Sequence, residues 1–169
     1  MDYRFFEQLT AAEAETYLAT FLEEERKRIS PQWWNRLMAD GVGAIEPYFA
    51  EFVAKISVVQ VAPPDDLPEY IVESMEREHG GFPDFATDAD RIAVLAAAFY
   101  FGEAFRRSFP SLSWAVGRPH RAEEGQPVVT GFSSDADLPV LVVTENLALD
   151  YEGDPRPVAT AIDSWRRFV

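Results

Sequence analysis

The 169-residue chain contains no cysteine. That excludes a disulfide framework, a thiol nucleophile and every zinc site built with sulfur, and it suits a reducing compartment, so a cytoplasmic location is expected. Histidine is nearly as scarce: His79 and His120 stand in separate turn-like settings, with no second histidine at ligand spacing. Lysine is confined to Lys27 and Lys55, which leaves arginine to carry almost all the positive charge. Glycine-rich phosphate loops, a serine elbow and a His-Glu-x-x-His pair are missing, so no catalytic residue and no cofactor is assigned. Long apolar runs are missing too. The apolar stretch from Ile92 to Phe101 is too short to span a bilayer, and MDYRFFEQLTAAEAE lacks the basic and apolar regions of a signal peptide. Neither export nor a membrane anchor is expected.

Acid is what the chain has in excess. With 29 acidic against 15 basic residues, the net charge of −14 disfavours contact with nucleic acid or an anionic membrane and would attract a basic protein. The same excess could serve solubility alone. It is concentrated between 65 and 90, where Asp65, Asp66, Glu69, Glu73, Glu76 and Asp84 form a candidate binding patch, with Glu78, Asp88 and Asp90 in the same stretch, against Arg77 alone. The run DFATDAD lacks the glycine and distal glutamate of a calcium loop, so no metal site is assigned.

The 47% apolar and 14% aromatic content argues for one domain with a substantial core. Its organising element is DADRIAVLAAAFYFGEAFRRSF, residues 88–109. At about 100° per residue, Ile92, Leu95, Ala96 and Phe99 form one stripe and Val94, Ala98, Phe101 and Phe105 the opposite one, which predicts a central helix covered on both faces. Thr87 and Asp90 form its capping box, Arg106 and Arg107 suit its last turn, and Pro110 stops it.

Upstream, Thr10 and Glu13 are a second capping box, and Tyr17, Leu18, Phe21 and Leu22 recur at helical spacing. The run EEERKR reads as a solvated helix face with Glu23–Lys27 and Glu24–Arg28 pairs. Ser30–Pro31 opens another helix bearing Trp33, Trp34 and Leu37, which ends near Gly41. Adjacent tryptophans diverge on a helix, so both are buried only at a junction of elements, or one is left for a ligand. Pro47 opens a short helix through Ile56, SVVQVA is either a strand or an extended connection, and Pro68 starts a helix after the proline-rich loop. Downstream, LSWAVGR and QPVVTGF form a hairpin that must lie on a helix, the central one being nearest. Residues 139–149 carry both helical and strand signals, with helix preferred, and a terminal helix carries Val158, Ile162 and Trp165 with Phe168 on the same stripe.

Glu103 breaks the local rule, because it falls on the stripe of Ile92, Leu95, Ala96 and Phe99, beside Gly102. A carboxylate there needs a partner: Arg106 or Arg107 one turn on, or the Trp114 indole. The alternative is an acid or base with a raised pKa in a pocket formed by Glu103, Trp114 and Arg106. At these residues the chain resembles a known group. An apolar helix ending in Phe101–Gly102–Glu103, then a strand with Trp114 and one with Pro127–Val128, is similar to small uncharacterised bacterial α+β families, some of them immunity-protein-like. The likeness covers roughly residues 90–150 and implies a non-enzymatic binding role.

The expected fold is α+β and predominantly helical, with a central buried helix over 88–109 and a small antiparallel sheet beside it. The expected function is an interaction or immunity-like protein presenting an acidic surface to a basic protein partner. The alternative is a small enzyme or ligand-binding domain with an aromatic pocket around Glu103.

Overall fold

The computed structural model describes residues 6, 8–63, 68–70, 72–73, 77, 82–121, 123–133, 135–151 and 154–169. Helices α1 (Ala11–Arg28) and α2 (Pro31–Asp40), a 3-10 turn (Gly41–Ala44) and α3 (Ile45–Val53) lead to strands β1 (Val58–Val61) and β2 (Phe82–Phe85). The long helix α4 (Asp88–Ser108) follows, then β3 (Ser113–Val116), β4 (Pro127–Thr130), α5 (Val140–Leu149) and α6 (Arg156–Arg166). The protein is thus predominantly helical α+β. The expected hairpin is present, β3 pairing antiparallel with β4 (Trp114 opposite Val129), and a second antiparallel pair is formed by β1 and β2 (Val58 opposite Phe85). Strand β2 was not anticipated, since Pro83 and the short run FPDF carry little strand signal.

Local chemistry sets the helix starts. The Thr10 hydroxyl accepts from the Glu13 amide while the Glu13 carboxylate accepts from the Thr10 amide, and Thr87 and Asp90 repeat the exchange at α4. Asp90 also reaches across the fold, its Oδ1 accepting the Ser57 amide at 3.2 Å and so tying the chain before β1 to the start of α4. Gly41, at φ +54°, ends α2 and lets the chain pass tightly over Ser108, whose hydroxyl accepts the Val42 amide at 2.9 Å. A Cβ at Gly41 would come within 2.1 Å of the Ser108 hydroxyl oxygen.

Helix α4 carries the core. From Ala96 to Phe105 every residue is buried, with α1, α3, the 3-10 turn, α5 and the β3–β4 hairpin packed around it. Phe99 and Phe101 are both buried although they point in different directions. The first turns differ from expectation: Ile92 is 40% exposed, because its side opens into a concavity of about 350 Å³ floored by Trp33, Tyr48 and Phe52. Burial pushes the Tyr48 and Tyr100 phenols upward in pKa; their rings stack at 3.9 Å, and the Tyr100 hydroxyl donates to the Trp33 carbonyl.

Two further readings change. Glu25 is not on a solvated face but buried, since it continues the stripe of Leu18, Phe21 and Leu22 at spacings of seven, four and three. Its partner is Arg28, with an Nε–Oε2 distance of 3.1 Å, while Lys27 takes both Glu23 and Glu24. Desolvation raises the Glu25 pKa against the opposing pull of Arg28. Helix α3 begins at Ile45, two residues before Pro47, because the preceding 3-10 turn runs directly into it.

Candidate functional site

Four elements meet at Glu103. Helix α4 supplies Glu103, Arg106 and Arg107 at spacings of three and four, one face of one turn. Strand β3 supplies Trp114, α1 supplies Leu22 and Arg26, and α2 supplies Trp34. Between them lies an open pocket of about 450 Å³, lined also by Phe99.

Glu103 is engaged on both oxygens. Arg106 donates through Nε to Oε2 at 2.8 Å and through Nη2 to Oε1 at 2.7 Å, a two-point fork. The Trp114 indole donates to Oε2 at 3.0 Å, and Arg107 Nε lies 2.7 Å from Oε1. Burial by itself pushes this carboxyl's pKa up, but the hydrogen bonds from Arg106 and Trp114 and the charges of both arginines outweigh it and leave it below the ordinary glutamate range. Gly102 explains why the indole can come so near. A Cβ there would lie 2.3 Å from Trp114 Cη2 and 2.9 Å from Val140 Cγ1, so the missing side chain is the space that Trp114 occupies.

The aromatic wall is held by packing. Trp114 lies parallel to Phe99 at 6.2 Å, and Phe21 meets both edge-on. Trp33 enters the core, whereas its neighbour Trp34 stays half-buried beneath arginines, with Arg26 Cζ at 3.6 Å and Arg107 Cζ at 4.8 Å from its ring centre. Glu103, Trp114 and Arg106 are thus brought together as their sequence positions suggested. Arg26 and Trp34, which also line the pocket, carry no sequence signal that joins them to it. Helical spacing shows each on an outer face but cannot show that the outer faces of α1 and α2 converge on α4.

The acidic patch is only partly visible. Asp65, Asp66 and Glu76 lie outside the described residues, as does His79. Glu69 and Glu73 are exposed on helical backbone, where the Val72 amide donates to the Pro68 carbonyl. Asp84 is half-buried on β2 and, with Asp88, is neutralised by Arg91 at 2.8 and 3.1 Å; Asp90 is spent on the helix cap. Among the described acidic residues, Asp84 and Asp88 are thus paired by Arg91, which lies just beyond the acidic run, while Glu69 and Glu73 are exposed. His120 sits at φ +65° in an exposed turn, its amide donating to Glu124. Among the described residues, no group of three His, Asp or Glu side chains is close enough to hold a metal ion, and no helix is long and apolar enough to cross a membrane.

No family model, curated protein or solved structure matches this chain.

Proposed function

We propose that the protein is a non-enzymatic interaction protein, akin to the immunity-like families that residues 90–150 resemble, and that it presents an acidic surface to a basic protein partner. The observation that carries this reading is at Glu69 and Glu73. They are exposed, lie one helical turn apart and make no ion pair among the described residues. Elsewhere bases are drawn to acids: Lys27, Lys55, Arg91, Arg118 and Arg156 each pair with a carboxylate near them in space. Like charges one turn apart repel by a few tenths of a kcal/mol, a cost that a cationic partner would relieve. Such a partner would be steered to the surface, with an association rate that falls steeply as salt rises.

The state of Glu103 supports a binding role over an acid–base one. A carboxylate held ionised, with both oxygens already accepting, has no proton to give at neutral pH and no free lone pair well placed to take one.

The test is capture of partners from lysate at low and high salt by wild-type protein and by a Glu69→Gln/Glu73→Gln variant. The wild type is expected to retain a basic protein at low salt and release it at high salt, and the variant to retain much less. Equal capture by both, or capture of nothing basic, would refute the reading.

A further inference from the structure

We propose that the pocket at Glu103 is a binding site for a phosphate monoester carried on a flat apolar body, and that its chemistry lies in its arginines, with Glu103 positioning Arg106 and Trp34 positioning Arg26. This goes beyond the acidic-surface reading, because it uses a cationic part of the molecule and none of the residues of that surface.

The charge of the cluster runs against the chain as a whole. Among the described residues, Arg26 and Arg106 line the pocket with one carboxylate, Glu103, which Arg107 also pairs, an excess of two positive charges on a protein of net charge −14. A phosphate monoester carries about −1.5 to −2 at neutral pH, which matches that excess.

The guanidiniums are also oriented. Arg26 makes no ion pair among the described residues; it is held by its flat face against Trp34, and stacking leaves its in-plane N–H groups available. Arg106 gives Nε and Nη2 to Glu103 and keeps Nη1, while Arg107 pairs with Glu103 through Nε from outside the pocket lining. Arg26 and Arg106, fixed in advance by an indole and a buried carboxylate, lose little freedom when they meet an anion, and Arg107 adds its charge through its contact with Glu103. The remaining lining is Leu22, Phe99 and Trp114, an apolar and aromatic wall suited to a ring. A volume of about 450 Å³ holds a small aromatic molecule.

The probe is phenyl phosphate, titrated into the full chain by calorimetry, with inorganic phosphate and phenol as comparisons. Quenching of tryptophan fluorescence, diminished in Trp34→Phe, locates the binding. Phenyl phosphate is expected to bind saturably and more tightly than inorganic phosphate, and phenol not to bind. Arg26→Gln, whose target makes no ion pair, should stay folded by circular dichroism and bind about ten-fold more weakly, the loss of one charge-assisted contact. Arg26→Lys should fall between the two, because it keeps the charge and loses the flat fork. The Glu69→Gln/Glu73→Gln variant should bind as the wild type does, which separates this site from the acidic surface. No saturable binding by the wild type, affinity in folded Arg26→Gln within two-fold of wild type, or equal affinity for phenyl and inorganic phosphate would each overturn the proposal.

Discussion

Replacing Gly102 by alanine sets two effects of opposite sign against each other at one position. Alanine in a helix interior is favoured over glycine by up to about 1 kcal/mol, so propensity alone predicts a more stable protein. The structure predicts the reverse. The new methyl would lie 2.3 and 2.8 Å from Trp114 Cη2 and Cζ2 and 2.9 Å from Val140 Cγ1, and none of these side chains can retreat freely. Trp114 is fixed by its stack on Phe99 and by its bond to Glu103, and Val140 is fully buried. Overpacking of this kind costs about 1–3 kcal/mol. If the indole is also levered off Glu103, a further ~1 kcal/mol is lost. With the indole levered off Glu103, the net expectation is destabilisation by roughly 1–3 kcal/mol after the propensity gain is subtracted, and about 1 kcal/mol less if that bond survives. The assay is urea unfolding of wild type, Gly102→Ala, Trp114→Phe and the double variant. Trp114→Phe removes the two clashing carbons, so the double variant should be more stable than the sum of the single effects by at least about 1 kcal/mol. A stabilising Gly102→Ala, or strict additivity in the cycle, would refute the claim that Gly102 exists to admit Trp114.

Truncating Phe101 or Phe99 to alanine should cost about 3–5 kcal/mol, read as a shift in urea midpoint, because both are buried against several elements. Glu103→Gln should keep the fold and lose about 1–2 kcal/mol at neutral pH, since the amide retains one acceptor but not the charge-assisted fork. The Glu103 pKa is lowered in the folded state, so its stabilisation is present above the unfolded value of about 4.3 and lost as pH falls through the folded one; the difference between wild type and variant should shrink below about pH 4. Glu25 behaves oppositely. Its pKa is raised, so stability falls as pH rises from its unfolded to its folded value, and Glu25→Gln should equal or exceed the wild type at pH 7 and match it near pH 4 in thermal melts. A Glu25→Gln variant markedly weaker at pH 7 would show that the Arg28 pair outweighs desolvation.

Residues close in sequence made much of this protein legible before its shape was known. The caps at Thr10, Ser30 and Thr87, the two-sided apolar pattern of α4, the hairpin and the stop at Gly41 all arise from interactions spanning a few positions, and all appear in the structure. The partners of Glu103 were legible for the same reason, since Arg106 and Arg107 lie one turn away and the indole only a loop beyond. Helical spacing also held a signal for Glu25, three, four and seven residues from Leu22, Phe21 and Leu18, but a run of charges masks periodicity unless each charge is placed on the wheel by itself. The β1–β2 pair could not be read in this way, because either strand alone is four residues long and each is defined by the other across a gap of 20 residues. The same holds for the pocket. That Arg26, Trp34 and Arg107 stack, and that Arg91 turns back onto Asp84, depends on how helices cross and on which outward side chains then face one another. Local propensity determines where a helix begins and which stripe it buries, whereas only packing decides which exposed groups become neighbours, and in this protein those neighbours compose the candidate site.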